Sequence, residues 1–266
     1  MTTPRLVDSH CHLDYLEGDA RAEAVARAVR AGVRGMLTIC TSLAAVEDVR
    51  RIAKAHAPHV GMAVGLHPHR VGEEGVPEEA ALTALGQDPG VAGLGETGLD
   101  YYYDRSPREM QQESFRRHIR AAKASGVPFI VHTRNADADT ATILTEEAGG
   151  GDLAGVLHCF SSGRALAERA LDLGLYISLS GILTFGNAEE VRAIAADVPL
   201  DRLLVETDAP FLAPKPLRGK PNEPAYTVHT ARKLAEVKGI SEDELAAATT
   251  ANFARLFPKA SGLASA

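Results

Sequence analysis

The chain has 266 residues, 45% of them hydrophobic and 24% charged, and a formal net charge of −7 from 28 basic and 35 acidic side chains. That length fits one large domain or two small ones, and the acidic balance excludes a protein that coats nucleic acid with bulk basic charge. The three cysteines, Cys11, Cys40 and Cys159, form no paired-thiolate or disulfide pattern, as expected in a reducing compartment. With no apolar leader run at the start and only short, broken apolar runs later, the reading is a cytoplasmic protein without a membrane span.

In chain order, short apolar segments rich in Val, Ile and Leu fall at Arg5–Ser9, Gly35–Cys40, Val60–Leu66, Val91–Glu96, Phe129–His132, Gly155–His158, Tyr176–Ser180 and Leu203–Asp208. This is the composition of parallel strands buried on both faces. Helical patterns lie between them. The first, Asp19–Ala31, places Ala22, Val25, Ala26 and Val29 on one face, with Gly32 as its stop. Ser42 is positioned to cap a helix burying Val46, Val49 and Ile52, and Ser106-Pro107 to open another that Gly126 closes. Ser241-Glu242-Asp243-Glu244 reads as a capping box for a last helix burying Leu245, Phe253 and Leu256. Eight strand–helix units in this length predict an α/β fold, a (β/α)8 TIM barrel in a single domain over residues 1–258. The small, polar residues 259–266 read as a frayed tail. No dinucleotide-type Gly-x-Gly-x-x-Gly loop supports the rival open doubly wound sheet.

In such a barrel the active site lies at the C-terminal strand ends. Those positions carry His10 and His12, Glu96, His132, His158, and Glu206-Thr207-Asp208, and the third strand is followed by His67-Pro68-His69. Alternate strand residues share a face, so His10 and His12 aim at one point and Cys11 aims away. Imidazole and carboxylate donors suit first-row divalent metals. Buried carboxylates without partners are too costly, so Glu96 and Asp208 in one barrel mouth need cations or protons. Six ligands (His10, His12, Glu96, His132, His158 and Asp208) exceed the needs of one tetrahedral ion and suit two ions bridged by Glu96. Asp208 completes the first site and stands beside the water to be activated. Glu206, Asp8 and His67 are read as supporting positions around the ligands. Arg134, Arg218 and Lys220 lie on loops of the same face and are candidates for contact with phosphate oxygens. Tyr101, Tyr102 and Tyr103 follow the Glu96 strand, where they are able to stack on an unpaired base.

The segments Asp8-Ser9-His10-Cys11-His12-Leu13, Gly65-Leu66-His67-Pro68-His69 and Gly95-Glu96-Thr97-Gly98-Leu99-Asp100 resemble those of the TatD family of metal-dependent deoxyribonucleases, which is similar to the amidohydrolases. So do Val131-His132-Thr133-Arg134, Leu157-His158-Cys159-Phe160-Ser161 and Glu206-Thr207-Asp208-Ala209-Pro210-Phe211-Leu212. The likeness runs from about residue 5 to residue 257. It implies a dinuclear barrel in which His10, His12, Glu96 and Asp208 bind one ion, and Glu96, His132 and His158 the other. Many amidohydrolases bridge their metals with a carboxylated lysine; no lysine ends the fourth strand here, so Glu96 fills that role. Pro221 stands where the family usually has a basic residue, which weakens the grip expected of the Arg218–Lys220 loop on a nucleic-acid backbone.

The resulting expectation is a metal-dependent hydrolase that cleaves phosphodiester bonds of DNA. The resemblance implies a 3'-5' exodeoxyribonuclease preferring single strands and using two divalent ions (Mg, Mn or Zn). Asp208 and Glu96 are the catalytic candidates, and no protein partner is implied. An amidohydrolase-like activity on an ester or amide, such as a D-aminoacyl-tRNA, is the alternative. A non-catalytic metal-binding scaffold is a further one, disfavoured by the completeness of the ligand sets.

Overall fold

The structure is a computed structural model that describes residues 5–266. Its eight strands are β1 (Leu6–Cys11), β2 (Val33–Cys40), β3 (Val60–Val64), β4 (Val91–Asp100), β5 (Phe129–Arg134), β6 (Gly155–Leu157), β7 (Tyr176–Leu179) and β8 (Leu203–Val205). They are parallel and lie in sequence order in one sheet. Just beyond β8 the chain closes on β1: the Asp208 amide donates to the His10 carbonyl (3.0 Å) and the His12 amide to the Ala209 carbonyl (2.8 Å). The helices are α1 (Gly18–Ala31), α2 (Val46–Ala55), α3 (Val71–Glu74), α4 (Glu79–Gln87), α5 (Arg108–Ser125), α6 (Asp137–Ala148), α7 (Arg164–Asp172), α8 (Glu189–Asp197), α9 (Thr227–Lys238) and α10 (Glu242–Leu256). The (β/α)8 barrel expected from the strand count is the fold.

Local signals were realised unevenly. The Ser241 hydroxyl accepts from the Glu244 amide at 3.2 Å, a working cap for α10. Ser42 caps no helix, because a 3-10 turn at Leu43–Ala45 separates it from α2. Ser106 instead accepts from the Gly72 amide (3.0 Å), tying the start of α5 to α3. Helix α1 buries Ala24, Val25 and Ala28, not Ala22 and Ala26. Alanines on several sides of that helix leave its periodicity without a sharp apolar face.

The barrel interior divides into two levels. Its lower level takes Val7, Leu37, Ile39, Ala63, Ala92, Ile130, Val156, Tyr176 and Leu204 from the eight strands, and these pack on Phe253, Leu256, Phe257, Ala260 and Leu263. The tail is therefore not frayed. Pro258–Ala264 form a 3-10 helix, and Leu263, the tail's one large apolar side chain, is buried under the barrel. A Cβ on Gly35 would lie 2.6 Å from the Leu263 Cβ, so bare backbone is needed opposite it. Leu263→Ala should cost about 2–5 kcal/mol, read as a lower denaturation midpoint; an unchanged midpoint would show that the plug contributes nothing.

The upper level is polar, and two irregularities shape it. Pairing of β4 with β5 slips by one residue between Leu94–Phe129 and Thr97–Val131, placing a bulge where Glu96 sits. Bulges bend a strand and re-aim its side chains. A second slip lies between Asp8–Met36 and Cys11–Thr38 on β1 and β2.

Candidate metal centre

Glu96, buried on the bulge of β4, occupies the middle of the barrel mouth. Its Oε2 lies 3.4 Å from His10 Nε2 and 3.8 Å from His12 Nε2. Its Oε1 lies 2.9 Å from His132 Nδ1 and 2.8 Å from His158 Nε2. Asp208, left-handed at φ 56°, brings Oδ1 to 3.4 Å from His12 Nε2 and 3.9 Å from His10 Nε2. A left-handed aspartate is less strained than most residues there, and the turn directs its carboxylate back over β1. One carboxylate thus divides two histidine sets between its oxygens, and a second closes one set.

The imidazoles are held from behind. His12 Nδ1 faces the Ile39 carbonyl (3.3 Å), His158 Nδ1 faces Glu206 Oε1 (3.2 Å), and His132 Nε2 faces Asp100 Oδ2 (3.1 Å). Each outer nitrogen donates its proton outward, which leaves the inner lone pair directed at the centre. The same Glu206 oxygen also accepts from the Cys159 amide (2.8 Å). Asp8 does not reach an imidazole. The slip in β1 breaks the alternation that would align it with His10. Its carboxylate accepts from the Thr207 amide and hydroxyl (2.9 and 2.5 Å) and from the His10 amide (3.3 Å), strapping the end of β8 to β1. His67 Nε2 stands 3.4 Å from Glu96 Oε1, while its Nδ1 accepts from the His69 amide.

Asp100 was missed in the sequence. Besides His132 it binds His69 Nε2 (2.9 Å) and accepts from the Tyr102 and Tyr103 amides (3.0 and 2.8 Å). The Thr97-Gly98 pair looks like a turn, whereas β4 runs on through it to Asp100. Asp100→Asn should weaken metal affinity about 10- to 100-fold with little change in melting temperature; unchanged affinity would remove Asp100 from the centre's support.

The donor chemistry fits divalent cations. Three groups, His10/His12/Asp208, His10/His158/Glu206 and His67/Glu96/His132, each bring ligand atoms within 4.8 Å of one another. Glu206 Oε2 is buried with no hydrogen-bond partner, as expected where positive charge belongs.

Without metal, protons take the place of that charge. Burial opposes a charge on His12, but the hydrogen bond and charge of Asp208 raise it to about 9. Burial likewise opposes charge on His158 and His132, yet Glu96 with Glu206, and Asp100 with Glu96, raise both. Burial would raise Glu96, but the surrounding imidazoles hold it well below the ordinary carboxylate range. Metal must displace these protons. Stability from the His12 proton is complete below its ordinary value of 6.5 and disappears as pH rises through about 9. Asp8, which burial raises to about 8, acts in the same direction. The metal-free protein should therefore lose melting temperature between pH 6.5 and 9, while the metal-loaded protein does not; parallel profiles would refute the exchange of protons for metal.

Above the centre opens a cleft of about 1150 Å³, with Tyr15, Arg70, Tyr103, Arg105, Arg134 and Phe211 on its walls. Arg134 is where its strand predicted. Arg218 and Lys220 are not on the walls: the Arg218 guanidinium lies over the Phe185 ring at 3.8 Å. Arg70 and Arg105 line the cleft beside Arg134, and their loop positions carry no periodic signal.

A parallel barrel gathering imidazoles and carboxylates at its C-terminal mouth defines a barrel metallohydrolase. Comparison makes the class specific: the family described as TatD related DNase matches residues 7–258, and the chain belongs to it as a metal-dependent hydrolase. It is 47% identical over 256 residues to the uncharacterized metal-dependent hydrolase YcfH of Escherichia coli K12, covering 95% of each chain. It is 36% identical over 241 residues to the 3'-5' ssDNA/RNA exonuclease TatD of Citrobacter rodentium, covering 88% of this chain and 90% of that one. The crystal structure of YJJV, a TatD homolog from Escherichia coli K12, superposes with a TM-score of 0.85 at 31% identity, covering 97% of this chain and 99% of that one. Among the described residues no helix is long and apolar enough to cross a membrane.

Proposed function

We propose that the chain is a two-cation phosphodiesterase that shortens single-stranded DNA from its 3' end. The observation that carries the reading is the division of Glu96, with Oε2 toward His10 and His12 and Oε1 toward His132 and His158. His10, His12, Glu96 and Asp208 would hold one cation, and Glu96, His132 and His158 the other. Cations held there would polarise a phosphoryl oxygen and make an attacking water more acidic. Asp208, the more accessible of the two central carboxylates (side chain 14% exposed against 4% for Glu96), accepts the water's proton. Glu206 and Asp100 keep His158 and His132 in the tautomers the centre requires. Arg70, Arg105 and Arg134 offset the charge of an incoming backbone, which the carboxylates alone would repel. The name of the Citrobacter relative supports both the polarity and the preference for single strands.

The test supplies Mg, Mn or Zn to the protein with end-labelled single-stranded DNA, single-stranded RNA, duplex DNA and a D-aminoacyl-tRNA, with His132→Ala as control. Stepwise loss from the 3' end of single-stranded DNA, absent in the control, is the expected result. Intact DNA beside a hydrolysed aminoacyl ester would replace the nuclease reading with an esterase.

A further inference from the structure

Among the described residues the exposed large hydrophobic side chains are Tyr15, Tyr102, Tyr103 and Phe211. Three line the cleft, and the fourth, Tyr102, packs edge-on against Tyr103 with ring centroids 4.9 Å apart. Exposed aromatics confined to one mouth mark a binding surface. They form two plates, one beside His12 and the other beside His69. Tyr15 and Phe211 meet at 5.5 Å, and their rings stand 5.7 and 6.2 Å from that of His12. Tyr102 and Tyr103 flank Arg134, whose guanidinium lies 4.0 and 4.8 Å from their rings. Tyr103 adjoins His69 at 5.4 Å, and His69 shares Asp100 with His132.

Resting on the nuclease reading above, we propose that the plates take the two bases flanking the scissile phosphate. Phe211 stacks the terminal base and Tyr103 the penultimate one, while Tyr15 and Tyr102, each nearly perpendicular to its neighbour (77° and 86°), meet the bases edge-on. Every base offers a π-face, so such plates hold any sequence. Two features place the continuing strand on the tyrosine side. The stacked cation Arg134 is there, as is a polar side pocket of about 430 Å³ whose walls include Thr133, Arg134, Asn135, Asp137, Ser161 and Ser162, with the Asp137 carboxylate accepting from the Gly163 amide (2.9 Å). Hydroxyl, amide and guanidinium groups suit sugar and phosphate. Among the described residues no cation stacks on Phe211 or Tyr15, Arg70 standing near Tyr15 without covering its ring, as befits a place where the strand ends. Within a duplex both faces of an internal base are already covered, so the plates select strands whose last two bases are unpaired.

The experiment compares single-stranded oligonucleotides that are intact, abasic at the terminal position, or abasic at the penultimate position. The wild-type protein should lose about tenfold to a hundredfold in kcat/KM at either abasic position. Phe211→Ala should lose its discrimination at the terminal position alone, and Tyr103→Ala at the penultimate position alone, while Phe211→Trp restores the first. Both side chains are about half exposed (46% and 49%), so circular dichroism should show both variants folded. Cleavage without regard to abasic sites, or discrimination that survives Phe211→Ala, overturns the plates and leaves the nuclease reading intact. No cleavage of any strand overturns both.

Discussion

Glu96→Gln should abolish turnover while leaving a folded barrel. The substitution keeps the side chain's shape and removes the charge shared by two histidine sets, His10 and His12 on one oxygen and His132 and His158 on the other. An amide presents one acceptor oxygen and one donor nitrogen, so one set must face N–H groups where it had a ligand. Bound metal, counted by elemental analysis of the loaded protein, should fall, from two ions to one or none if the two-cation reading proposed above holds. Lewis-acid stabilisation by a metal is worth several kcal/mol, so kcat should fall about 10³-fold or more. The fold should persist, because the apolar lower level of the barrel is separate from the mouth. A variant that keeps two ions and a tenth of its activity would remove Glu96 from the bridge.

The second large effect comes from a residue with no side chain. Gly98 has φ +133°, and a Cβ there would lie 2.0 Å from the His132 carbonyl oxygen. That oxygen belongs to β5 at the position where β4 and β5 pair, so it cannot move without parting the strands. Gly98→Ala should therefore cost several kcal/mol: about 1–3 kcal/mol for the backbone conformation, plus the disrupted pairing. The expected outcome is a large loss of soluble yield and, in what remains, weaker metal binding through displaced His132. Wild-type yield and melting temperature would show that the two strands separate more easily than their contacts indicate.

The barrel was legible because the strands carry short apolar segments with Val, Ile or Leu, and because strand ends in this architecture converge. His10 and His12 could be paired from alternation alone. What stayed hidden depended on register. Asp8 leaves the face of His10 through a one-residue slip. Asp100 meets His132 because β4 continues through Thr97-Gly98 and pairs Gly98 with His132. Arg218 and Lys220 lie off the cleft walls because proximity to the eighth strand end does not fix which way a long loop folds. Small residues in the tail hid the one contact, Leu263 beneath Gly35, that holds it in place.

That contact also bears on how the protein is made. The floor under all eight strands comes from Phe253, Leu256, Phe257, Ala260 and Leu263, all C-terminal to β8. While those residues are still inside the ribosome, the barrel is open below and its lower apolar side chains face water. Closure therefore waits for residues made after all eight strands, and the interval before it is when a nascent chain is most exposed to aggregation or chaperone capture.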